Sequence, residues 1–117
     1  MKNTFFILVL FCLLISCEAI FVEDISNRKV VLLAPTNNAV LDSGTIHFNW
    51  TPMKEIEGYQ IQIATPNFLS ASQLLLDSIS THTTITKSLE IGSYEWRVKA
   101  TNSDYETPYS SSSFTVN

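Results

Sequence analysis

The residue whose chemistry stands out in this chain is Cys17, because its thiol directly follows an apolar run near the N-terminus. The run extends from Phe5 to Ile15, carries no acidic residue and is preceded by the positive charge of Lys2. A charged start, an apolar middle and a small residue before the cut are typical of a secretory signal peptide. A transmembrane helix needs about 20 apolar residues, roughly twice the length of this run. The segment is therefore better interpreted as a signal peptide.

The residues around the cut carry a more specific resemblance. Leu14-Ile15-Ser16-Cys17 resembles the lipobox of bacterial lipoproteins, such as those of Bacteroidetes, and no Ala-x-Ala-like site of an ordinary secretory signal precedes it. In lipoproteins the cysteine thiol takes a diacylglycerol, and the signal peptidase then cuts in front of it. The resemblance implies a signal peptide at residues 1–16, acylation (diacylglycerol and palmitate) at Cys17, and a lipid anchor to the outer membrane of the cell envelope.

The mature chain predicted by this cut is the size of one domain. It holds 101 residues, and with Lys2 removed its six basic and eleven acidic residues give a net charge of −5. No block of basic residues interleaves with aromatics, so nucleic acid is not an expected partner.

Residues 17–28 show no periodicity, and we predict that they form a solvated tether. Some bacterial groups use acidic residues after the lipidated cysteine as a surface-export signal, which three residues here fit only loosely: Glu18, Glu23 and Asp24. The sequence therefore does not indicate which leaflet of the outer membrane carries the lipid anchor.

Side chains that could perform catalysis are few and scattered. His47 and His82 are the only imidazoles, and neither belongs to a cluster with the spacing of metal ligands. Asp77 and Ser78 precede His82, but the Gly-x-Ser-x-Gly context of a nucleophile is absent. No arrangement of the three glycines could cradle a phosphate. We therefore predict that the protein is not an enzyme and has no catalytic residue, bound metal or cofactor.

Apolar residues alternate with polar ones along most of the mature chain. The pattern is clearest at Ile46–Trp50, Tyr59–Ile63 and Tyr94–Ala100, and a period of two indicates antiparallel strands with one buried face. Turn-forming residues separate these runs. About seven strands spaced in this way predict an all-β, immunoglobulin-like sandwich. The strands assigned from weaker patterns are Val30–Leu33, Leu74–Leu76, Thr83–Thr86 and Ser113–Val116.

Three motifs in this order resemble fibronectin type III domains. Trp50-Thr51-Pro52 is similar to the end of strand B, and Gly58-Tyr59-Gln60-Ile61 to the start of strand C. The stretch from Leu89 to Ala100 resembles the E–F corner and strand F, where a tyrosine hydroxyl, here that of Tyr94, bonds back to the main chain. The resemblance covers Val30 to Val116 and implies one fibronectin type III-like β-sandwich domain at residues 29–117. It implies no activity, since the fold hosts many functions.

Aromatic and aliphatic residues in two connections are candidates for partner contact. Trp50, Tyr59 and Trp96 share their strand faces with aliphatic residues, so they are assigned to the core rather than to a sugar-binding platform. Phe68 and Leu69 fall in the loop between strands C and C′; packing of Phe68 under the sandwich edge is the favoured interpretation, and a contact patch the alternative. The same alternatives apply to two tyrosines of the F–G connection, Tyr105 and Tyr109.

One serine is a candidate for modification. Asp77-Ser78-Ile79 resembles the sites that some Bacteroidetes O-glycosylate in exported proteins, which makes Ser78 a possible glycosylation site.

The leading functional hypothesis is a non-catalytic binding or interaction module at the cell envelope, with a protein or a glycan as partner. A structural spacer or assembly component of an envelope complex is the alternative. A binding module predicts an exposed apolar patch, a spacer an evenly polar surface, and an enzyme a pocket with converging ionisable groups.

Overall fold

A computed structural model describes residues 21–117, so the predicted signal peptide and Cys17 lie outside the described part of the chain. Residues 21–117 form eight β-strands, and no helix among them is long and apolar enough to cross a membrane. The strands are β1 (Leu32–Ala34), β2 (Ala39–Leu41), β3 (Gly44–Trp50), β4 (Gly58–Thr65), β5 (Gln73–Ser80), β6 (Thr84–Leu89), β7 (Gly92–Thr101) and β8 (Ser110–Val116).

Two sheets pack face to face, which confirms the predicted all-β sandwich. The smaller sheet has the order β1-β3-β6, and the larger has the order β2-β8-β7-β4-β5. All neighbouring strands run antiparallel except β2 and β8, which are parallel. The chain therefore pairs first with the small sheet through β1 and then, after the turn at residues 35–38, with the large sheet through β2.

Strand β2 is the element that the sequence pattern did not reveal. It has three residues, and the side chain of its central Val40 is 64% exposed. A strand this short, bounded by turn residues and lying at a sheet edge, leaves no period-two pattern to detect. Strand β5 is longer than expected for a related reason: it continues from Leu76 to Ser80, where polar residues follow the leucines.

The core consists of the apolar faces that the alternation predicted. Trp50, Tyr59 and Trp96 are all buried, in agreement with their assignment to the core. Trp50 meets Tyr59 edge to face, with 5.6 Å between ring centroids, and Phe48 meets Trp96 at 5.1 Å. Pairs of this geometry add about 0.5–1.5 kcal/mol to the stabilisation from burial. The indole Nε1 of Trp96 donates to the main-chain oxygen of Pro35 at 3.2 Å.

The tyrosine corner has the geometry that the resemblance implies. The hydroxyl of Tyr94 donates to the main-chain oxygen of Glu90, four residues earlier, at 2.7 Å. The ring of Tyr94 is buried and stacks on Phe114, with 5.4 Å between centroids. The hydrogen bond thus ties the β6–β7 connection to a ring that is fixed by the core.

Packed structure begins earlier in the chain than the predicted domain boundary at residue 29. Ile25 was assigned to a solvated tether, yet its side chain is 0% exposed and belongs to the main core cluster. The side-chain Nδ2 of Asn102 donates to the main-chain oxygen of Glu23 at 2.9 Å. The prediction of a solvated segment reaching residue 28 is therefore wrong for this part: one aliphatic side chain, without periodic neighbours, fills a place at the end of the sandwich.

Candidate interaction surface

The outer face of the large sheet carries polar and charged side chains in a regular grid. Gln62 of β4 lies opposite Arg97 of β7, and Gln60 lies opposite Lys99. Because successive residues of a strand point to opposite faces, these side chains point away from the core that holds Trp96 and Val98. The positions of the core residues in β4 and β7 therefore fix which residues the outer face presents.

Arg97 lies between two aromatic rings on this face. Its guanidinium carbon is 3.9 Å from the ring centroid of Phe68 and 4.2 Å from that of Tyr109. Its Nε donates to the side-chain Oε1 of Gln62 at 2.8 Å. We call Phe68, Arg97 and Tyr109 the arginine clamp. Both rings attract the cation, and the hydrogen bond favours one rotation of the guanidinium, so these contacts restrain the arginine side chain.

Phe68 reaches Arg97 because the β4–β5 loop folds back over the sheet. The main-chain nitrogen of Phe68 donates to Glu95 Oε1 at 2.9 Å, and Ser72 N donates to the main-chain oxygen of Thr65 at 2.9 Å, closing the loop. Ala64 lies opposite Glu95 in register, and its side chain is 0% exposed, which is consistent with a loop that covers this part of the sheet. The favoured interpretation, in which Phe68 packs under the sandwich edge, is wrong: the ring packs on the outer face against Arg97.

Tyr109 is positioned by the start of β8 and by a second cation. It directly precedes Ser110, whose hydroxyl donates to the main-chain oxygen of Val30 at 2.6 Å. Lys99 Nζ lies 4.9 Å from the centroid of the Tyr109 ring and 3.0 Å from Glu106 Oε2. The ring of Tyr109 therefore lies among cationic groups from two positions of β7.

An ionised carboxylate borders the arginine clamp on the edge strand. Asp77 lies opposite Gln62 in register, and its Oδ1 accepts a hydrogen bond from Gln60 Nε2 at 2.9 Å. The hydrogen bonds from Gln60 and Gln62, together with the positive charge of Arg97, hold the pKa of Asp77 below its ordinary value of 3.8. Asp77 therefore stays charged at neutral pH and places a negative group beside the clamp.

Exposed aliphatic side chains flank the same face. Leu69, next to the clamp, is 96% exposed, and Ile79 on β5 is 78% exposed. Leu74, opposite Ala64 near the start of β5, is about half exposed. We define the clamp face as the arginine clamp together with these three residues. Its aromatic and arginine side chains are of the types that are enriched at the centres of protein interfaces, and its exposed aliphatic side chains add apolar surface that a partner could cover.

The four residues assigned to partner contact do not form one group. Phe68, Leu69 and Tyr109 belong to the clamp face, whereas Tyr105 lies in the β7–β8 connection at one end of the sandwich. There, Tyr105 N donates to Asn102 Oδ1 at 2.8 Å, and its main-chain oxygen accepts from Asn102 N at 3.0 Å. Arg97, Ile79 and Gln62 were not identified from the sequence. The sequence did offer one signal for Arg97: it directly follows the buried Trp96 in a strand, so its side chain points to the opposite, outer face.

The remaining predicted site is Ser78. It lies in the middle of β5, half-buried, opposite the buried Ile61, so its side chain points to the inner side of the edge strand. Glycosylation of Ser78 stays a prediction. Asp77 and Ser78 point to opposite faces of β5, so the two side chains do not converge on one site.

The described residues offer no arrangement that would hold a metal ion. Within residues 21–117, no three side chains of the types His, Cys, Asp and Glu lie close enough together to form such a site. The charged side chains on the outer face of β7 already have polar partners: Arg97 bonds to Gln62 at 2.8 Å, and Lys99 pairs with Glu106 at 3.0 Å. The absence of catalysis stays a prediction from the sequence.

Comparison with known proteins identifies the fold only. The sequence matches no protein-family model and no curated protein. The structure is similar to fibronectin(III)-like modules of CbhA from Clostridium thermocellum, with a TM-score of 0.56 and 17% identity, covering 75% of this chain and 95% of that one. It is also similar to a computationally redesigned β-sandwich protein, with a TM-score of 0.55 and 25% identity, covering 76% and 90%.

A third similar structure is the fibronectin type III domain derived from human KIAA0970 protein. Its TM-score is 0.52 and its identity 15%, covering 75% of this chain and 70% of that one. Identities this low transfer no ligand or activity, because the sandwich supports unrelated functions. Residues 21–117 therefore form a fibronectin type III-like β-sandwich.

Proposed function

We propose that this protein is a lipid-anchored, non-catalytic interaction module of the cell envelope, and that it binds a protein partner through the clamp face. The anchor rests on the lipobox-like sequence ending at Cys17. The binding role rests on one observation: a guanidinium held between two aromatic rings stands beside exposed aliphatic side chains, of which Leu69 is almost fully exposed.

The arginine clamp suits binding because its central side chain is already restrained. A free arginine side chain loses about 2 kcal/mol of rotamer entropy when it is immobilised. In this protein Phe68, Tyr109 and Gln62 restrain Arg97 before any partner arrives. Part of the ordering penalty that usually opposes association is therefore met before binding, so contacts to the clamp contribute more fully to affinity.

The chemistry of the clamp face favours a protein over a glycan. A sugar stacks on an open aromatic face, and Arg97 already covers one face of Phe68 and one face of Tyr109, which leaves at most the opposite face of each ring. The most exposed groups are instead the aliphatic side chains of Leu69 and Ile79, which an apolar protein surface would cover. Among residues 21–117, strand β5 has a neighbouring strand on one side only, so its outer main-chain groups can pair with an extended segment of a partner.

Two isoleucines of nearly equal exposure provide a matched test. Ile79, on the clamp face, is 78% exposed, and Ile91, in the β6–β7 connection, is 75% exposed. Full-length protein with a photo-crosslinking residue at either position would be irradiated in native membranes and its adducts identified by mass. We expect one reproducible protein adduct from position 79 and none from position 91. Leu69→Ser should reduce that adduct several-fold.

The outcomes separate the candidate functions. Equal labelling from both positions, or none from either, would reject the clamp face as a binding surface and favour the spacer, for which no particular face is required. Adducts that contain polysaccharide instead of protein would show that the partner is a glycan and would reject the proposal of a protein partner. The anchor is tested separately by intact mass: a chain that begins at residue 17 without a diacylglycerol would reject it.

A further inference from the structure

We infer that the short, docked N-terminal segment fixes which end of the sandwich faces the membrane. This inference rests on the lipid anchor proposed above. We call the end formed by the β3–β4 and β7–β8 connections, residues 51–57 and 102–109, the proximal end, and the end formed by the β6–β7 connection and the β4–β5 loop the distal end. The proximal end faces the bilayer, and the distal end points away from it.

The segment before β1 is fastened to the proximal end at three points. The side chain of Ile25 is fully buried in the core. The Nδ2 of Asn102 donates to the main-chain oxygen of Glu23 at 2.9 Å, and Arg28 Nη1 donates to the main-chain oxygen of Lys54 at 2.9 Å. The part of the chain free to act as a tether therefore ends before Ile25.

The tether is shorter than the domain is long. From Cys17 to Ile25 the chain advances eight residues, and a fully extended chain spans at most about 3.5 Å per residue, or roughly 28 Å here. Along strand β7, from the distal Gly92 to the proximal Thr101, the chain advances nine residues and spans about 30 Å at roughly 3.3 Å per residue. A tether fastened at the proximal end cannot run the length of the sandwich, so the distal end cannot be the one that faces the lipid.

Charge at the proximal end keeps it from lying tightly on an anionic bilayer. Hydrogen bonds from the Ser26 hydroxyl and main-chain nitrogen hold the pKa of Asp24 below its ordinary value, so this group stays ionised. Carboxylates outnumber cations in this region and repel anionic headgroups. The acidic residues are Glu23, Asp24, Glu55, Glu57, Asp104 and Glu106, and the basic ones are Arg28, Lys29 and Lys54.

The orientation decides which candidate contacts a large partner can reach. Tyr105 lies in the β7–β8 connection and therefore faces the bilayer, which removes it from the set of partner contacts. Leu69 follows the distal end of β4, and Ile79 lies on the lateral edge strand, so the clamp face stays open to a protein in the surrounding compartment. The partner is expected to approach from the side or from above, never between the domain and the lipid.

Single thiols can test this orientation in the full-length protein. Cys12 lies in the predicted signal peptide and Cys17 carries the lipid, so a new cysteine would be the only free thiol of the mature chain. Tyr105→Cys and Ile91→Cys would each be labelled with a fluorescent donor, with acceptor dye on the lipid headgroups. We expect the energy-transfer rate to be several-fold higher from position 105 than from position 91. Equal rates, or the reverse order, would overturn the inference.

A longer tether provides the control. A flexible Gly-Ser insertion of about 20 residues after residue 20 leaves the lipobox-like sequence intact but adds enough reach to pass the length of the sandwich. The difference between positions 105 and 91 should then shrink, because either end can approach the lipid. If the difference persisted, tether length would not set the orientation and the inference would fail. Protein released from membranes, without lipid by mass, would reject the anchor and this orientation with it.

Discussion

Replacement of Ile25 is the sharpest test of the described structure, since the sequence pattern assigns this residue to a tether and the fold assigns it to the core. Ile25→Ala removes three carbon atoms from a side chain that is 0% exposed. At about 0.8 kcal/mol per buried methylene, the lost transfer free energy is roughly 2.4 kcal/mol. The cavity left behind adds to this, and such substitutions range over about 2–5 kcal/mol. We expect the free energy of unfolding to fall by about 3 kcal/mol.

The assay is urea denaturation of the chain from residue 17 with Cys17→Ala, followed by tryptophan fluorescence. Trp50 and Trp96 are both buried, so their emission reports the loss of the core. The midpoint should fall while the slope with urea stays constant, because the substitution changes stability and not the surface exposed on unfolding. In thermal melts, each kcal/mol lost from the free energy of unfolding should lower the midpoint temperature by roughly 4–8 °C for a domain of this size.

Two matched variants make the result interpretable. Ile25→Val should cost only about 0.5–1.5 kcal/mol, because it removes one methyl group. Phe21→Ala, at a side chain that is 86% exposed, should change the stability by less than about 0.5 kcal/mol. If Ile25→Ala behaved like Phe21→Ala, residues 21–28 would be the solvated tether after all, and the docked segment on which the membrane orientation depends would not exist.

Three further predictions concern hydrogen bonds and stacking. Tyr94→Phe removes a 2.7 Å bond to a main-chain oxygen and should destabilise the fold by about 0.5–1.5 kcal/mol in the same denaturation assay. A double-mutant cycle of Phe68→Ala and Arg97→Ala should give a coupling energy of about 0.5–1 kcal/mol. The pKa of Asp77, followed by NMR, should lie below 3.8 and rise towards that value in Gln60→Ala. Because the folded state lowers this pKa, the contribution of Asp77 to stability is present above pH 3.8 and is lost as the pH falls through the folded value.

Each of these predictions has a contradicting result. An unchanged stability in Tyr94→Phe would mean that the tyrosine corner acts only through its ring. Additive effects in the double-mutant cycle would mean that Phe68 and Arg97 do not attract each other in solution. An Asp77 pKa at or above 3.8, or one that does not change in Gln60→Ala, would contradict the hydrogen-bonded carboxylate beside the arginine clamp.

Alternation along the chain was enough to predict the sandwich, because each buried strand face is recorded locally in every second residue. The inward parity of Trp50, Tyr59 and Trp96 followed from their neighbours, and the tyrosine corner followed from a family resemblance. Strand β2 was missed because three edge residues hold no periodic signal. Phe68 was misplaced because a loop residue has no parity, and the face it covers depends on how the loop closes.

By itself, the sequence determined the fold class, the core and the lipobox-like start, since each is encoded in consecutive residues. Only the tertiary structure decided that Phe68, Arg97 and Tyr109 form one clamp, and that Ile25 closes the end of the core. Those contacts join positions that are at least twelve residues apart along the chain. Strand register and loop closure bring them together, and both are set by the free energy of the whole packed sandwich, so no local pattern records them.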